Sequence, residues 1–476
     1  MLNNMDLKNG CNFVVIGASG DLSRKKIIPA LFSLFVGGFL PKEYNVIGYA
    51  RTEMDDNSFR KMAEEILIPK YEKDTEGLNK IPEFLKRCTY VFGQYDSVND
   101  FIALKDHMAS LSAVGFNRMF YMAIPPSIFL ATSVSIHESG LMEKANQDCW
   151  SRVVLEKPFG RDSESFKELN ESLSKVIPEK QTYRIDHYLG KEVIQNLMVL
   201  RFANLIFEPI WNRNYVSSVV ISWSEKIGVS GRAGYFDHYG IIRDVMQNHL
   251  MQILSLVAME PPINLDAENI RDEKVKVLKC VSPLTINDLV IGQYIRSEDR
   301  KTPGYLEEPG VPKDSITPTY TKASFKINNF RWEGVPFKLL AAKAYDKTCT
   351  EIRINFKEVP GFIYPSLRAM NPNTLVIRVQ PDEAIRLEVV NKFPGLAMRF
   401  ENASLNLHYQ SDFQQKLHDA YERLLLDVLR GDKSLFIRDD ELAASWNIVT
   451  PVLKELEKWK IKPMPYIFGT RGPQQS

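Results

Sequence analysis

Short apolar runs alternate with helical patterns along the first part of the chain. NFVVIG (12–17) reads as a buried strand, LFSLFVGGFL (31–40) as the continuation of a helix, and YNVIGYAR (44–51) as a second strand. RMFYMAIPP (118–126) and RVVLEKPFG (152–160) follow as strands, each stopped by proline. Strands separated by helices make an α/β parallel sheet. From about residue 215 the pattern changes. VSSVVISWSE (216–225), SFKINNF (324–330), EIRINF (351–356), TLVIRVQP (374–381) and SLNLHY (404–409) alternate or run β-branched without helices between them. This predicts a large, mainly antiparallel sheet with one solvated face. Two helices accompany it, over 240–259 and near 419–431. We place the domain boundary at 185/186, giving domains 1–185 and 186–476.

A chain of 476 residues supports two domains. With 44% apolar residues and a mean hydropathy of -0.22 it can bury a sizeable core in water. Charge is balanced, 60 Lys+Arg against 59 Asp+Glu, which argues against nucleic acid or an anionic membrane as partner. Any anion site must be local. The five cysteines, Cys11, Cys88, Cys149, Cys280 and Cys349, are dispersed, with no zinc-type spacing. No apolar run reaches membrane-spanning length, and the first ten residues resemble no signal or transit peptide. The expected location is the cytosol, or an organelle after removal of a targeting peptide.

GASGDL (17–22) follows a strand and opens a helix. Gly17 allows a tight turn, Gly20 lets backbone approach a diphosphate, and the helix start offers free N–H groups. The second strand ends in Arg51 where an acidic residue would grip a ribose hydroxyl; a guanidinium suits a 2′-phosphate and points to NADP. Arg24, Lys25 and Lys26 lie in the first helical turns, against the macrodipole, so at least one should face a phosphate. Lys157 stands at the carboxyl end of a buried strand, where ligand crevices form.

RIDHYLGKE (184–192) gathers His187, Tyr188 and Lys191 as donors for a phosphate monoester, with Gly190 permitting a turn that folds Lys191 back. Asp186 would repel that anion and is better used to orient an imidazole. The imidazole is sought in IIRDVMQNHLMQ (241–252), where Ile241, Ile242, Val245, Met246, Leu250, Ile253 and Leu254 form an apolar stripe. As an α-helix, this segment would set Asp244 and His249 roughly 140° apart, able to border one cleft but not to stack. His249 is the candidate base, and Asp186 and His249, about sixty positions apart, are expected to share one pocket.

Taken together, GASGDL, EKPFG, RIDHYLGKE, GYFDHYGIIRDVMQNHL, DEKVKVL, RWEGVPF, LVIRVQPDEA, DAYERLLLD and RGP occur in the order found in glucose-6-phosphate dehydrogenases. The likeness runs from about Asn12 to Pro473, and RIDHYLGKE is close to diagnostic. The resemblance implies a Rossmann domain followed by a β+α domain whose sheet forms the subunit interface of a homodimer or homotetramer. It implies NADP-dependent oxidation of glucose 6-phosphate at C1 to 6-phosphogluconolactone, the first step of the oxidative pentose phosphate pathway. His249 and Asp186 would be the catalytic pair. Lys157, His187, Tyr188, Lys191, Glu225, Asp244, Lys343 and Gln380 would face substrate. Gly17, Ala18, Ser19, Gly20, Asp21, Leu22, Lys26, Arg51 and Lys157 would face cofactor, and no metal is needed.

Departures from the family pattern carry their own expectations. Some members hold a second, structural NADP through basic residues after RWEGVPF and an aromatic C-terminal extension. Here Leu340, Thr348 and Cys349 stand at those positions and the sequence ends RGPQQS, so that site should be absent or badly weakened. Lys347 partly substitutes for the family arginine at Thr348, and Phe129 replaces a cofactor-contacting tyrosine. Two rivals remain. One is an NAD-dependent dehydrogenase of unphosphorylated sugars with the same build; the other is a catalytically inactive regulatory relative.

Overall fold

The computed structural model describes residues 9–111, 115–142, 149–360, 370–414 and 417–474. Six parallel strands are formed where the sequence runs β-branched and apolar or lies between helices: β1 (Cys11–Ile16), β2 (Tyr44–Ala50), β3 (Cys88–Phe92), β4 (Asn117–Met122), β5 (Ser151–Leu155) and β6 (Thr182–Ile185). Their order is β6-β5-β4-β1-β2-β3, with the short strand Phe436–Ile437 antiparallel to β6 at the edge. β1 lies at the centre and every residue of it is buried, as a strand covered by helices on both faces requires. The order reverses between β1 and β4, the switch point beyond whose carboxyl ends open α/β sheets bind their ligands. The edge strand comes from far along the chain, so residues near 436 complete a sheet begun at residue 11.

The second sheet contains β7 (Val216–Ser224), β8 (Leu289–Ile295), β9 (Tyr320–Phe325), β10 (Phe337–Ala342), β11 (Cys349–Phe356), β12 (Thr374–Gln380), β13 (Ala384–Lys392) and β14 (Phe400–His408). Together with Met464–Ile467 they make nine strands, in the order β14-β13-β12-β11-β7-β10-β9-β8 and then 464–467. The sheet is mainly antiparallel. β10 with β7, and 464–467 with β8, pair in parallel.

Three local expectations are corrected. The strand expected at 324–330 lies at Tyr320–Phe325; beyond it only Ile327 pairs, across to Val281, while polar Asn328 and Asn329 turn the chain and cap Trp332. The helix through 31–40 ends at Val36 on a Gly37 cap, and Gly38 takes a positive φ of 71°. The helix expected over 240–259 has three parts: Ala233–Ile241, a π-wound segment Ile242–Leu250, and Met251–Ala258. Gly240, at φ 65° and ψ 170°, makes the first junction in a conformation that side chains forbid.

Helix Asp439–Lys458 locks the halves together. Its Trp446 indole donates to Phe159 O at 2.9 Å, and Ser445 Oγ donates to Gln247 O at 2.8 Å. Glu441 meets Lys274 of helix Ala267–Lys279 at 2.8 Å, both side chains fully buried. One apolar cluster, including Val14, Phe120, Leu197, Ile221, Met246 and Val449, runs from the first sheet to the second.

Candidate active site

β6 hands the chain directly to Asp186, and the π-wound helix delivers His249 to the same point. His249 Nδ1–H donates to Asp186 Oδ1 at 2.6 Å, which fixes the tautomer and leaves Nε2 free to accept a proton. The Tyr188 backbone N–H donates to the same oxygen at 2.9 Å. Asp186 Oδ2 is buried with no hydrogen bond among the described residues. Burial raises the Asp186 carboxyl, but His249 outweighs it and holds the group well below the usual carboxylate range. Burial pushes the His249 imidazole down, against the pull of Asp186. The pair is therefore a carboxylate and a neutral imidazole at neutral pH, the state a general base needs.

The expected separation of Asp244 from His249 does not hold. Hydrogen bonding from i to i+5 over 242–250 brings residues five apart toward one face. His249, Asn248 and Gln247 are buried along with the apolar residues, and only Arg243 and Asp244 are half-buried, so the apolar stripe was no guide to the helix's open side. Lys157 reaches across from the end of β5 and donates to Asp244 O at 2.7 Å and Oδ1 at 3.0 Å. Burial raises the Asp244 carboxyl; the adjacent Lys157 wins and holds it at about 2. Further along the cleft Lys343 Nζ meets Glu225 Oε2 at 2.7 Å and lies over the rings of Trp223 and Phe236.

In the expected clamp, His187 is half-buried and its ring stacks parallel to Tyr421, centroids 6.1 Å apart. Burial first, then His249 nearby, depresses its imidazole far below the ordinary value. Lys191 Nζ forms no ion pair among the described residues and sits 5.2 Å from the Tyr188 ring centre; burial lowers its pKa. Gly190 has a different use from the one expected. A Cβ there would come within 2.6 Å of Ala420 O, so the glycine lets helix Ala420–Arg430 approach the clamp. Tyr188 also differs, its hydroxyl being enclosed by protein. Trp223 Nε1–H donates to it at 2.6 Å and Gln380 Nε2–H at 3.1 Å, with Thr350 Oγ1 at 3.4 Å. Two incoming donors leave the phenol proton to be given away.

On the cofactor side, Gly17 has φ 89° and an added Cβ would lie 2.3 Å from Ala123 O. Gly20 turns the loop back with its N–H on Gly17 O at 2.9 Å. The bare backbone of Gly17 to Leu22, beside β2's end, fits a diphosphate group, and exposed Arg51, resting over the Tyr95 ring, fits a further phosphate. Ser19 Oγ and Thr52 Oγ1, 2.9 Å apart, tie the loop to that strand end. Two expected contacts are otherwise engaged: Asp21 pairs with Lys25 at 2.7 Å in solvent, and Lys26 pairs with Asp419 at 2.8 Å. Local charge neutralisation explains both. Ala18 and Phe129 are buried.

Several residues at the site went unnoticed in sequence. Glu156 is buried beside Lys157; Tyr121 donates to it at 2.6 Å and Tyr421 adds a second bond. Trp223 was visible only as one of the inward positions Val219, Ile221 and Trp223 of an alternating strand. Asp186, His187 and His249 place their ligand atoms within 4.8 Å of one another, compact enough for a cation, but the Asp186–His249 bond already uses two of them.

Comparison with known proteins agrees along the whole chain. Residues 14–196 match the family model "Glucose-6-phosphate dehydrogenase, NAD binding domain", and residues 198–476 match "Glucose-6-phosphate dehydrogenase, C-terminal domain". A chloroplastic glucose-6-phosphate 1-dehydrogenase 1 of Arabidopsis thaliana is 50% identical over 469 residues, covering 97% of this chain and 81% of that protein. The glucose-6-phosphate 1-dehydrogenase of Dictyostelium discoideum is 48% identical over 482 residues, covering 100% and 95%. A solved glucose-6-phosphate dehydrogenase in complex with glucose 6-phosphate superposes with a TM-score of 0.92 at 40% identity, covering 100% of this chain and 97% of that one.

Proposed function

The chain belongs to the glucose-6-phosphate dehydrogenase family, and from that premise we propose how its cleft oxidises glucose 6-phosphate at C1 with NADP. The observation that carries the proposal is the buried 2.6 Å bond between His249 and Asp186. NADP, when bound, supplies a hydride acceptor for C1; Gly17 to Leu22 and Arg51 would hold it. His249 Nε2 takes the C1 hydroxyl proton, and Asp186 holds the ring in place and stabilises the imidazolium that forms.

His187 and Lys191 hold the phosphate, with Tyr188, its hydroxyl held by Trp223 and Gln380, as the wall beneath Lys191. Cationic Lys191 lacks an ion-pair partner among the described residues, so a dianion completes it. Lys157, Asp244, Glu225, Lys343 and Gln380 line the path between phosphate and base and address the sugar hydroxyls. Binding energy from the non-reacting phosphate orients C1. Leu340 and Cys349 offer no cation to a second dinucleotide, and Thr348 accepts from Lys226 N–H at 3.0 Å, so we assign one NADP per chain.

The boundary stays at 185/186, although Phe436–Ile437 returns to the first sheet. The exposed apolar groups at the β14 end of the second sheet, Leu396, Met398, Leu405 and Phe413, support a homodimer formed there. Free cysteines suit a thiol-reducing compartment such as the cytosol. Among the described residues no helix is long and apolar enough to cross a membrane.

The direct test follows reduced-nicotinamide absorbance with glucose 6-phosphate or glucose, and NADP or NAD. Turnover with glucose 6-phosphate and NADP is expected. Equal use of glucose with NAD would favour the unphosphorylated-sugar reading, and no turnover with either would favour an inactive relative.

A further inference from the structure

The carboxyl ends of β5 and β6 carry Lys157 and Asp186. Their amino ends, at the opposite edge of the sheet, open on a separate cavity of about 350 Å3. Five cations line it, Arg152, Lys180, Arg271, Lys433 and Arg438, against two carboxylates, Glu179 and Glu268. Both oxygens of Glu179 are taken by Arg184, at 2.9 and 2.8 Å. Glu268 serves Arg271 and Arg438, and Arg438 also holds Asp272 and Asp440. Among the described residues Arg152, Lys433 and Lys180 pair with no carboxylate, and Lys433 Nζ donates to the backbone oxygen of Glu179.

Two of the cations cannot discharge into bulk water. Arg271 is 2% exposed and Lys433 is 8% exposed. Burial, with Arg271 and Arg184 close by, pushes the Lys433 ammonium down to about 8 despite Glu179. Arg152 lies flat on Trp150, 3.8 Å from the ring centre, and spends one nitrogen on the carbonyls of Val428 and Leu429. Its other nitrogens make no hydrogen bond among the described residues, and the same holds for one terminal nitrogen of Arg271. An excess of buried positive charge with open, planar donors needs an anion that several of them can share.

We propose that this cavity binds a compact phosphate dianion, free or as a monoester, between Arg152, Arg271 and Lys433, with Lys180 at the rim. The site lies at the far end of β5 and β6 from the clamp around Lys191. It joins three segments: the starts of these strands, helix Ala267–Lys279, and the turn after helix Ala420–Arg430. An anion bound there stabilises the folded chain by mass action.

The test is thermal unfolding of the full chain in inorganic phosphate against chloride at equal ionic strength, for wild type, Lys433→Met and the surface variant Lys180→Glu. The clamp is intact in all three, so its share and the general effect of phosphate cancel in the comparison. Wild type should gain about 2 °C more than either variant at phosphate ten times the dissociation constant. All three should keep their turnover number. An equal phosphate shift in the three proteins would overturn the site. Repeating the series with glycerol 3-phosphate separates the sources: a larger wild-type gain than with inorganic phosphate assigns the site to phosphomonoesters, and an equal or smaller one to free phosphate.

Discussion

In the cofactor half of the cleft, the groups that would meet ligand come from one contiguous run, Gly17 to Leu22, and from one strand end, Arg51. In the sugar half they would come from separate segments between Lys157 and Gln380, and most are already bonded in pairs: Lys157 to Asp244, Lys343 to Glu225, His249 to Asp186, Gln380 to Tyr188. The first half offers exposed backbone and a solvated guanidinium, and the second is a buried polar network. The difference teaches where each kind of specificity resides. A diphosphate is recognised by backbone geometry that a short stretch can encode. A single proton must leave one hydroxyl, and that needs side chains held to fractions of an ångström by neighbours.

Breaking the network at its centre should have the largest effect. His249→Ala is expected to lower kcat about 10^3-fold with little change in KM for glucose 6-phosphate. Steady-state kinetics decides; near-normal turnover would mean another group is the base. Lys191→Ala should leave kcat within a few-fold and raise that KM about 10- to 100-fold, since a charge-assisted bond to phosphate is lost. If kcat fell in step with the rise in KM, Lys191 would belong to the chemistry rather than the clamp.

The cofactor half is probed by Arg51→Ala. The ratio of kcat/KM for NADP over NAD should drop about tenfold while substrate KM stays put. An unchanged ratio would put the 2′-phosphate contact elsewhere. Trp223→Phe keeps an aromatic wall beneath Lys343 but removes the N–H that directs the Tyr188 hydroxyl, and should raise KM about fivefold. In a Tyr188→Phe background the same change should have almost no further effect; fully additive losses would uncouple the two residues.

The smallest effect is a titration. Burial lowers the His249 pKa, so its imidazole should stay neutral at pH values where an exposed histidine is already half protonated. NMR titration, with the His249 signal assigned by its loss in His249→Ala, should place the midpoint below 6.5. A midpoint above that value would show Asp186 outweighing burial.

The cofactor loop was legible because its requirements are local. Gly17 must be glycine for both φ and space, and the strand before it is a plain apolar run. Even there the reading stopped at the next segment: Lys26 finds Asp419, 393 positions away, and no window contains both. The pattern of RIDHYLGKE suggested an anion site and a base-orienter. It could not announce that Tyr188's hydroxyl would be closed in by Trp223, Gln380 and Thr350, since each belongs to a different strand of the second sheet.

By itself, then, the sequence determined the alternation of strands and helices in the first part, the strand-rich texture of the second, the glycine turn and the cation at the end of β2. These follow from backbone sterics and periodicity within a few residues, whereas the proposed base and clamp came from side-chain chemistry and the family resemblance. Tertiary structure alone decided which charges pair, that helix 242–250 is π-wound so that Asp244 and His249 turn toward one face, and that Tyr121 and Tyr421 hold the buried Glu156. The reason is physical. A buried charge is tolerated only beside its partner, and the partner is chosen by the packing of elements that lie far apart in the chain.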